Sequence, residues 1–195
     1  MNDRPNILLD MDGVLVDFVE GAILACGASV EECYRKWTPG LYDVVKVLGI
    51  GEEEFWRKVE SKGEDFWAHL RQYPWSRSLY DGCSEFGEVF FLTKPTLDPK
   101  SCSGKVRWMQ AFLGGRLAAR NYLLGPPKYL CAKPWNILVD DCEPNVDLFA
   151  AAGGKAILFP QVWNRRHAQA NSLRCERMLC EVEEVIRGLP ARLGP

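Results

Sequence analysis

Histidine is scarce in this sequence, and its cysteines form no common metal motif. Only His69 and His167 are histidines among the 195 residues, and none of the eight cysteines belongs to a CxxC pair. Zinc fingers need such pairs or clusters of both residue types, so the sequence excludes that class. The first residues also lack the apolar stretch of a secretion signal. We therefore expect reduced cysteines and a cytoplasmic protein.

Long apolar runs and an excess of one charge are equally missing. No run approaches the length of a membrane-spanning helix. The 24 basic and 26 acidic residues nearly cancel, so no overall field favours nucleic acid or an anionic membrane as a partner. Neither a GxGxxG nor a GxxxxGK(S/T) phosphate loop occurs. We expect a small-molecule ligand and no membrane, see no strong sign of nucleic acid, and leave an oligomer open.

Apolar runs alternate with helical patterns over most of the chain, whose hydrophobic content of 47% can build a sizeable core. Strands are predicted at residues 7–9, 88–92, 121–124, 137–139 and 156–159. This alternation indicates a three-layer α/β fold with a parallel sheet. Residues 17–80 show helical patterns only. We predict a core formed by residues 1–16 and 81–195, with a small helical cap inserted at residues 17–80.

A pair of carboxylates follows the first predicted strand. The apolar residues 7–9 lead to Asp10 and Asp12, and Gly13 allows a sharp turn directly after them. Two carboxylates this close repel each other unless a cation or a shared proton lies between them. Ligands of open α/β sheets bind at the carboxyl ends of the strands. The motif therefore indicates a site, although Asp and Gly are also ordinary turn residues.

The other predicted strands end in polar residues of matching chemistry. The second strand ends at Thr93, Lys128 comes soon after the third, and Asp140 and Asp141 follow the fourth. Because parallel strands share one carboxyl edge, we expect these groups to gather with the first pair of carboxylates. Such a cluster would be costly in a purely structural core. It suits Mg²⁺, which prefers oxygen ligands, and a phosphate, whose charge a hydroxyl and an ammonium can neutralise.

These motifs resemble those of a known enzyme superfamily. The segment Asp10-Met11-Asp12-Gly13-Val14, followed in order by Thr93, a lysine and Asp140-Asp141, resembles the motif set of the haloacid dehalogenase (HAD) superfamily of phosphatases. The resemblance extends over residues 7–141. It implies a Rossmann-like α/β/α core, a Mg²⁺ cofactor, and hydrolysis of a phosphomonoester through an aspartyl-phosphate.

A narrower resemblance concerns the substrate. Residues 12–18, Phe66-Trp67 and residues 91–95 resemble the 5′(3′)-deoxyribonucleotidase branch, in which aromatic cap residues hold the base above the catalytic edge. It implies a nucleoside monophosphate as substrate and the aromatic residues Phe18, Phe66 and Trp67 as base contacts. The same aromatic residues are equally expected in a cap core, because aromatic side chains usually pack first.

The superfamily resemblance also implies a role for each carboxylate. Asp10 would be the nucleophile that forms the aspartyl-phosphate, and Asp12 would protonate the leaving alcohol and then activate water. Asp10, the backbone carbonyl of Asp12 and the Asp140–Asp141 pair would hold Mg²⁺. We favour Asp141 as the direct ligand and Asp140 as the residue that orients the others.

Phosphate contacts are expected from the second and third strands. Thr93 and the backbone N–H of Lys94 would hold phosphate oxygens. Three lysines compete for the motif position that neutralises the phosphate and the nucleophile. Lys128 is the first choice, Lys105 resembles a second phosphate-contacting lysine of the nucleotidase branch, and Lys133 is expected to be solvated.

The sequence therefore predicts a Mg²⁺-dependent phosphatase, most closely a nucleotidase. Three alternatives stay open at this stage. The substrate could be a sugar phosphate or the phosphate end of a nucleic acid, the acceptor could be a group other than water, or the protein could bind a phosphorylated metabolite without catalysis. The preferred base and sugar, and the choice between 5′ and 3′ phosphates, are left undetermined.

Overall fold

The computed structural model describes residues 4–115, 121–125 and 127–189, which are organised around a sheet of five parallel strands. The strands are β1 (Asn6–Leu9), β2 (Glu88–Thr93), β3 (Tyr122–Leu124), β4 (Asn136–Asp140) and β5 (Lys155–Leu158). They lie in the order β3-β2-β1-β4-β5. The predicted parallel α/β sheet is confirmed, because each strand lies where its apolar run placed it.

The central strand β1 determines where the functional groups gather. Leu9, its last residue, lies opposite Phe91 of β2 and Val139 of β4. The chain passes from β1 to β2 and β3 on one side, then returns to β4 and β5 on the other side. The connections that leave β1 and β4 therefore diverge at the carboxyl edge. This divergence opens the crevice in which open α/β sheets bind their ligands.

Nine helices are present in the described residues. They are α1 (Phe18–Ala25), α2 (Val30–Lys36), α3 (Val44–Leu48), α4 (Glu52–Glu60), α5 (Gly63–Ala68), α6 (Ser76–Phe86), α7 (Pro99–Phe112), α8 (Glu143–Ala151) and α9 (Arg174–Arg187). Short 3₁₀ turns occur at Lys128–Cys131 and His167–Gln169. Within the described parts of the chain, no helix is both long enough and apolar enough to cross a membrane.

Helices cover both faces of the sheet and complete the predicted three layers. On one face α6 contacts α9 and β2, while α9 also contacts β5. On the opposite face α8 packs on β4 and β5. There Phe149 of α8 joins Leu8, Leu92 and Leu138 in one buried apolar cluster. The apolar strands are thus buried on both sides, as parallel strands usually are.

The helices α1 to α5 lie in the segment predicted to be a cap, and α5 packs against α7. At Gly104 of α7, a methyl group would lie 2.5 Å from both the carbonyl oxygen of Glu64 and the Cβ of Trp67. Glycine is therefore what allows the two helices to approach so closely. Arg107 adds an ion pair with Glu64 at 2.7 Å. The cap rests directly on the helix that carries Lys105.

The division into core and cap stays a proposal. The boundary expected at residue 80 falls inside α6, which spans Ser76–Phe86. Because α6 packs against β2 and α9, its contacts favour a boundary just before Ser76.

Candidate active site

Three buried carboxylates meet at the carboxyl edge of β1 and β4. Asp10 directly follows β1, Asp140 ends β4 and Asp141 follows it. One oxygen from each residue lies within 4.8 Å of the others. The backbone N–H of Asp10 continues the sheet ladder by donating to the carbonyl of Val139 at 3.0 Å. The expected convergence of Asp10, Asp140 and Asp141 is therefore what the structure shows.

Lys128 lies within this carboxylate cluster. Its Nζ is 2.7 Å from Oδ1 of Asp10 and 2.6 Å from Oδ2 of Asp140. Burial opposes the charged form of Lys128, but the carboxylates of Asp10 and Asp140 outweigh it and raise the pKa of the ammonium. Lys128 therefore carries a permanent positive charge next to Asp10.

Burial disfavours the charged forms of the carboxylates as well. It raises the pKa of Asp10 to about 7, with Lys128 opposing the shift and Asp140 and Asp12 adding to it. Burial and the charge of Asp140 also raise the pKa of Asp141. An additional positive charge at this point would reverse these shifts.

A second ion pair lies beside the first and involves Asp12. Oδ2 of Asp12 accepts a hydrogen bond from Nζ of Lys105, which also donates to Oγ1 of Thr93 at 3.0 Å. Lys105 is fully buried, and its ammonium lies 5.2 Å from the ring centroid of Trp67. The other carboxylate oxygen of Asp12, Oδ1, is buried and has no hydrogen-bond partner among the described residues. A buried carboxylate oxygen of this kind indicates that a ligand belongs next to it.

The turn after β1 brings Gly13 against Asp141. Gly13 has a φ of +76°, a conformation that side chains rarely adopt, and a Cβ at this position would collide with the carboxylate of Asp141. The carbonyl of Gly13 accepts a hydrogen bond from the side-chain amide of Gln161. Gly13 is therefore required both for the turn and for the space that Asp141 occupies.

Asp140 and Asp141 are held in different ways. Asp140 accepts three hydrogen bonds: from Lys128, from the backbone N–H of Cys142 at 2.8 Å and from Asn145 at 3.1 Å. The carboxylate of Asp141 accepts one hydrogen bond, from Nε1 of Trp163 at 2.6 Å. Asp140 therefore has the more fully satisfied carboxylate, and Asp141 keeps more capacity for a further ligand.

A cavity of about 480 Å³ adjoins the carboxylates. Its lining includes Asp10, Asp12 and Asp141, and much of its remaining wall is apolar: Phe18, Val19, Leu41, Tyr42 and Trp163. Among the described residues, no lysine or arginine lines this cavity. The cavity thus combines an acidic end with an aromatic wall.

Two of these aromatic residues were not predicted from the sequence. Tyr42 precedes α3, and Trp163 follows β5; their rings meet edge to face at 6.0 Å. Trp163 could have been found by applying to the fifth strand the same argument that was applied to the other four, since it too ends at the carboxyl edge. Tyr42 comes from a cap loop whose position no local pattern indicates.

Other predicted residues lie further from the cavity. Trp67 is buried and stacks on Phe18 with 5.6 Å between ring centroids, and Phe66 lies along a separate groove beside Arg71. Neither Phe66 nor Trp67 is among the described residues that line the cavity. Their expected contact with a base stays a prediction, and the positions of the two residues outside the cavity lining do not favour it.

Two further lysines singled out in the sequence, Lys94 and Lys133, are exposed. Lys94 is exposed and lies near Lys128 on another small cavity, and Lys133 is exposed, as expected for a solvated residue. Of the three lysines weighed for the motif position, Lys128 lies on Asp10 and Lys105 lies on Asp12. Both buried lysines are therefore placed to neutralise charge at this edge.

The donor set fits a divalent cation. Oxygen atoms from Asp10, Asp140 and Asp141 converge, and carboxylate oxygens are the ligands that Mg²⁺ prefers. Together with Asp12, the site holds four carboxylates and only two ammonium groups, those of Lys105 and Lys128. A charge deficit of this size at a largely buried edge corresponds to one divalent cation. The carboxylate of Asp12 lies outside the converging group, and the role of its backbone carbonyl as a ligand stays a prediction.

Solved structures of hydrolases share this fold. A haloacid dehalogenase-like family hydrolase from Xanthomonas campestris matches 95% of this chain and 93% of its own, with a TM-score of 0.56 and 11% identity. A hydrolase from Pseudomonas syringae matches 93% of this chain and 98% of its own, with a TM-score of 0.51 and 12% identity. A HAD family hydrolase from Deinococcus radiodurans, solved with bound phosphate and sodium, matches 94% of this chain and 96% of its own, with a TM-score of 0.51 and 12% identity.

Comparisons of sequence alone give no match: no family model fits the chain, and no curated protein is similar to it. At 11–12% identity the structural similarity establishes the fold and nothing finer. The chain has the α/β fold of the haloacid dehalogenase-like hydrolases.

Proposed function

We propose that this chain is a Mg²⁺-dependent phosphomonoester hydrolase of the HAD superfamily. The observation that carries the proposal is the pairing of each of the two acidic groups after β1 with its own buried lysine. Lys128 holds Asp10, and Lys105 holds Asp12 and Thr93. A nucleophile and a proton-transfer group placed side by side among ammonium groups can act on one phosphate.

In the first step, the Asp10 carboxylate attacks phosphorus as the nucleophile. A bond forms between its oxygen and phosphorus, and the bond from phosphorus to the substrate oxygen breaks. Asp12 donates a proton to that leaving oxygen, so an alcohol departs and an aspartyl-phosphate stays on the enzyme. Lys105 and Thr93 flank Asp12, Lys128 holds Asp10 in position, and the two ammonium charges stabilise the phosphoryl group.

In the second step, the aspartyl-phosphate is hydrolysed. Asp12 now accepts a proton from a water molecule, whose oxygen attacks phosphorus. The bond between phosphorus and Asp10 breaks, inorganic phosphate leaves, and the carboxylate of Asp10 is restored. The same two residues thus serve both steps, which agrees with their positions on one tight turn.

The metal would be held by Asp10, Asp141 and the backbone carbonyl of Asp12. Asp140, whose carboxylate is already bound by three donors, would orient the others. Bound there, Mg²⁺ supplies positive charge that neutralises the phosphoryl group and the carboxylates.

The cavity supports a substrate with one phosphate and a flat, uncharged group, and we propose a nucleoside monophosphate. Phe18, Tyr42 and Trp163 line the cavity, and the exposed ring of Tyr42 offers a surface against which a base can stack. The described lining offers no cation for a second phosphate. This support comes from residues other than Phe66 and Trp67, on which the sequence resemblance had relied.

Phosphate release tests this proposal directly. The purified protein is assayed with nucleoside monophosphates, sugar phosphates and an aryl phosphate, each with Mg²⁺ and with a chelator. We expect Mg²⁺-dependent turnover with a strong preference for nucleotides. Preference for a sugar phosphate would overturn the nucleotidase assignment and keep the phosphatase. Absence of turnover on every substrate would overturn the enzymatic assignment and favour a binding protein of the same fold.

A further inference from the structure

Trp163 connects the carboxylate of Asp141 with the cap. Its indole Nε1 donates a hydrogen bond to Oδ2 of Asp141 at 2.6 Å, and the side chain is 3% exposed. A hydrogen bond from a buried indole to a carboxylate is charge-assisted and is therefore stronger than a bond between neutral groups. The position of one Asp141 oxygen is thereby fixed.

The turn after β1 also packs against the Asp141 carboxylate. A methyl group at Gly13 would collide with the Asp141 carboxylate, so the carboxylate lies directly against the backbone of that turn. With both Trp163 and Gly13 against it, the carboxylate has little freedom to rotate. Its second oxygen is oriented by the same two neighbours.

The segment 161–164 is itself held rigidly. The side-chain amide of Asn164 donates to the carbonyls of Asp141 at 2.9 Å and of Phe159 at 2.8 Å. Gln161 donates to the carbonyl of Gly13. Three side chains of one short segment thus hold the two loops that carry Asp12 and Asp141.

The cap rests on the other face of the indole. The rings of Trp37 and Trp163 lie 5.9 Å apart, Tyr42 packs edge to face on Trp163, and the backbone N–H of Gly40 donates to the carbonyl of Val162 at 2.8 Å. These contacts hold in place the indole whose Nε1 donates to Asp141.

We propose that Trp163 is a positioning residue for Asp141: its N–H holds the carboxylate in the orientation that completes a divalent-cation site with Asp10. This inference rests on the proposed function, because it assumes that Asp141 is a ligand. Groups that orient metal ligands typically contribute a factor of 10 to 100 in metal affinity. The indole N–H should therefore affect metal binding before any substrate is present.

The test is a titration of Trp163→Phe with Mn²⁺, followed through the electron paramagnetic resonance signal of free Mn²⁺. Phenylalanine keeps an aromatic ring in the wall and removes the N–H. Trp108→Phe is the matched control, because Trp108 is equally buried and its indole donates to a backbone carbonyl, that of Leu70, at 2.9 Å. We expect Mn²⁺ affinity to fall by about 10-fold or more in Trp163→Phe and to be unchanged in Trp108→Phe.

Equal Mn²⁺ affinity in wild type and Trp163→Phe would overturn the inference and leave the proposed function intact. Failure of the wild type to bind Mn²⁺ would instead overturn the metal site on which both rest. If Trp163→Phe does not fold, the indole N–H resonances of the wild type are followed while Mg²⁺ is added. The Trp163 resonance should shift and that of Trp108 should not; an unmoved Trp163 resonance contradicts the inference.

Discussion

Two buried ammonium groups, those of Lys128 and Lys105, form ion pairs with acidic residues of this site. Lys128 bridges Asp10 and Asp140, and Lys105 bridges Asp12 and Thr93. A buried lysine is costly unless its charge is compensated, and removing one member of a buried pair leaves an uncompensated charge. The lysine and the carboxylates of each group therefore depend on each other, and each lysine fixes one carboxylate of the turn after β1. Residue by residue, the site is held together by charge.

Replacing Asp10 by asparagine should separate catalysis from folding. Asp10→Asn keeps the side-chain volume but removes the charge that attacks phosphorus. We expect kcat to fall by about 10³-fold or more, as for the loss of a nucleophile, while the circular dichroism spectrum stays that of the wild type. Phosphate release in the presence of Mg²⁺ measures the effect.

The matched control is Asp81→Asn on α6. Asp81 is half exposed and pairs with Arg77 at 2.9 Å, so the same chemical change there should leave kcat unchanged. Turnover of Asp10→Asn within a few-fold of the wild type would exclude a covalent role for Asp10.

At the scale of the elements, the packing of α5 on α7 supports the lysine chemistry. Lys105 lies one residue after Gly104, where α5 approaches most closely. Trp67 of α5 lies against that contact and faces the Lys105 ammonium. A shift of α5 would therefore move the aromatic ring that packs on Lys105 as well as the cap itself.

A methyl group added at this contact should disturb both stability and the site. In Gly104→Ala the new Cβ would lie 2.5 Å from backbone and side-chain atoms of α5, and overpacking of this kind typically costs about 1–3 kcal/mol. We expect a lower free energy of unfolding in urea together with a reduced kcat/KM. Gly188→Ala is the control, since its Cβ would make only ordinary contacts at 3.6 Å and should change stability by less than about 0.5 kcal/mol. Equal stability of the two variants would contradict the tight contact.

Local signals explain which elements could be predicted. The sequence pattern predicts a helix at residues 18–25, where α1 lies, and Asp17 caps its start by accepting a hydrogen bond from the N–H of Glu20 at 2.9 Å. Apolar spacing predicts a second helix from Gly104 to Leu113, but α7 begins five residues earlier, at Pro99, because Asp98 and Pro99 form a start signal. Helices α5 and α6 were missed. Short helices whose apolar stripe is interrupted by polar residues depend on tertiary packing, which periodicity does not reveal.

The same distinction holds for the candidate site. The carboxylates and both lysines could be predicted because each comes shortly after a strand or lies in the helix that follows one. Tyr42 could not, because it reaches the cavity through the contact of a cap loop with Trp163. That contact joins residues far apart in the chain and depends on how the cap rests on the core.

At the scale of the whole molecule, the crevice between core and cap concentrates negative charge that folding alone leaves uncompensated. Burial raises the pKa of Asp10 from 3.8 to about 7. Between these two values the folded metal-free protein keeps a proton that the unfolded chain has released. The stability of the metal-free protein should therefore fall as pH rises through this range.

Mg²⁺ should reverse this trend, because it binds the deprotonated carboxylates of the folded protein and not the unfolded chain. At a concentration of 100 Kd the expected stabilisation is about 2.7 kcal/mol, or roughly 5–10 °C in Tm. The increment should be largest near about pH 8 and small near about pH 5.5, where Asp10 holds its proton. Thermal unfolding with Mg²⁺ or EDTA at both pH values measures it. Asp141→Asn should lose the increment, whereas Asp147→Asn, an exposed carboxylate on α8, should keep it. An increment of the same size at both pH values would mean that Mg²⁺ does not compete with the proton on Asp10.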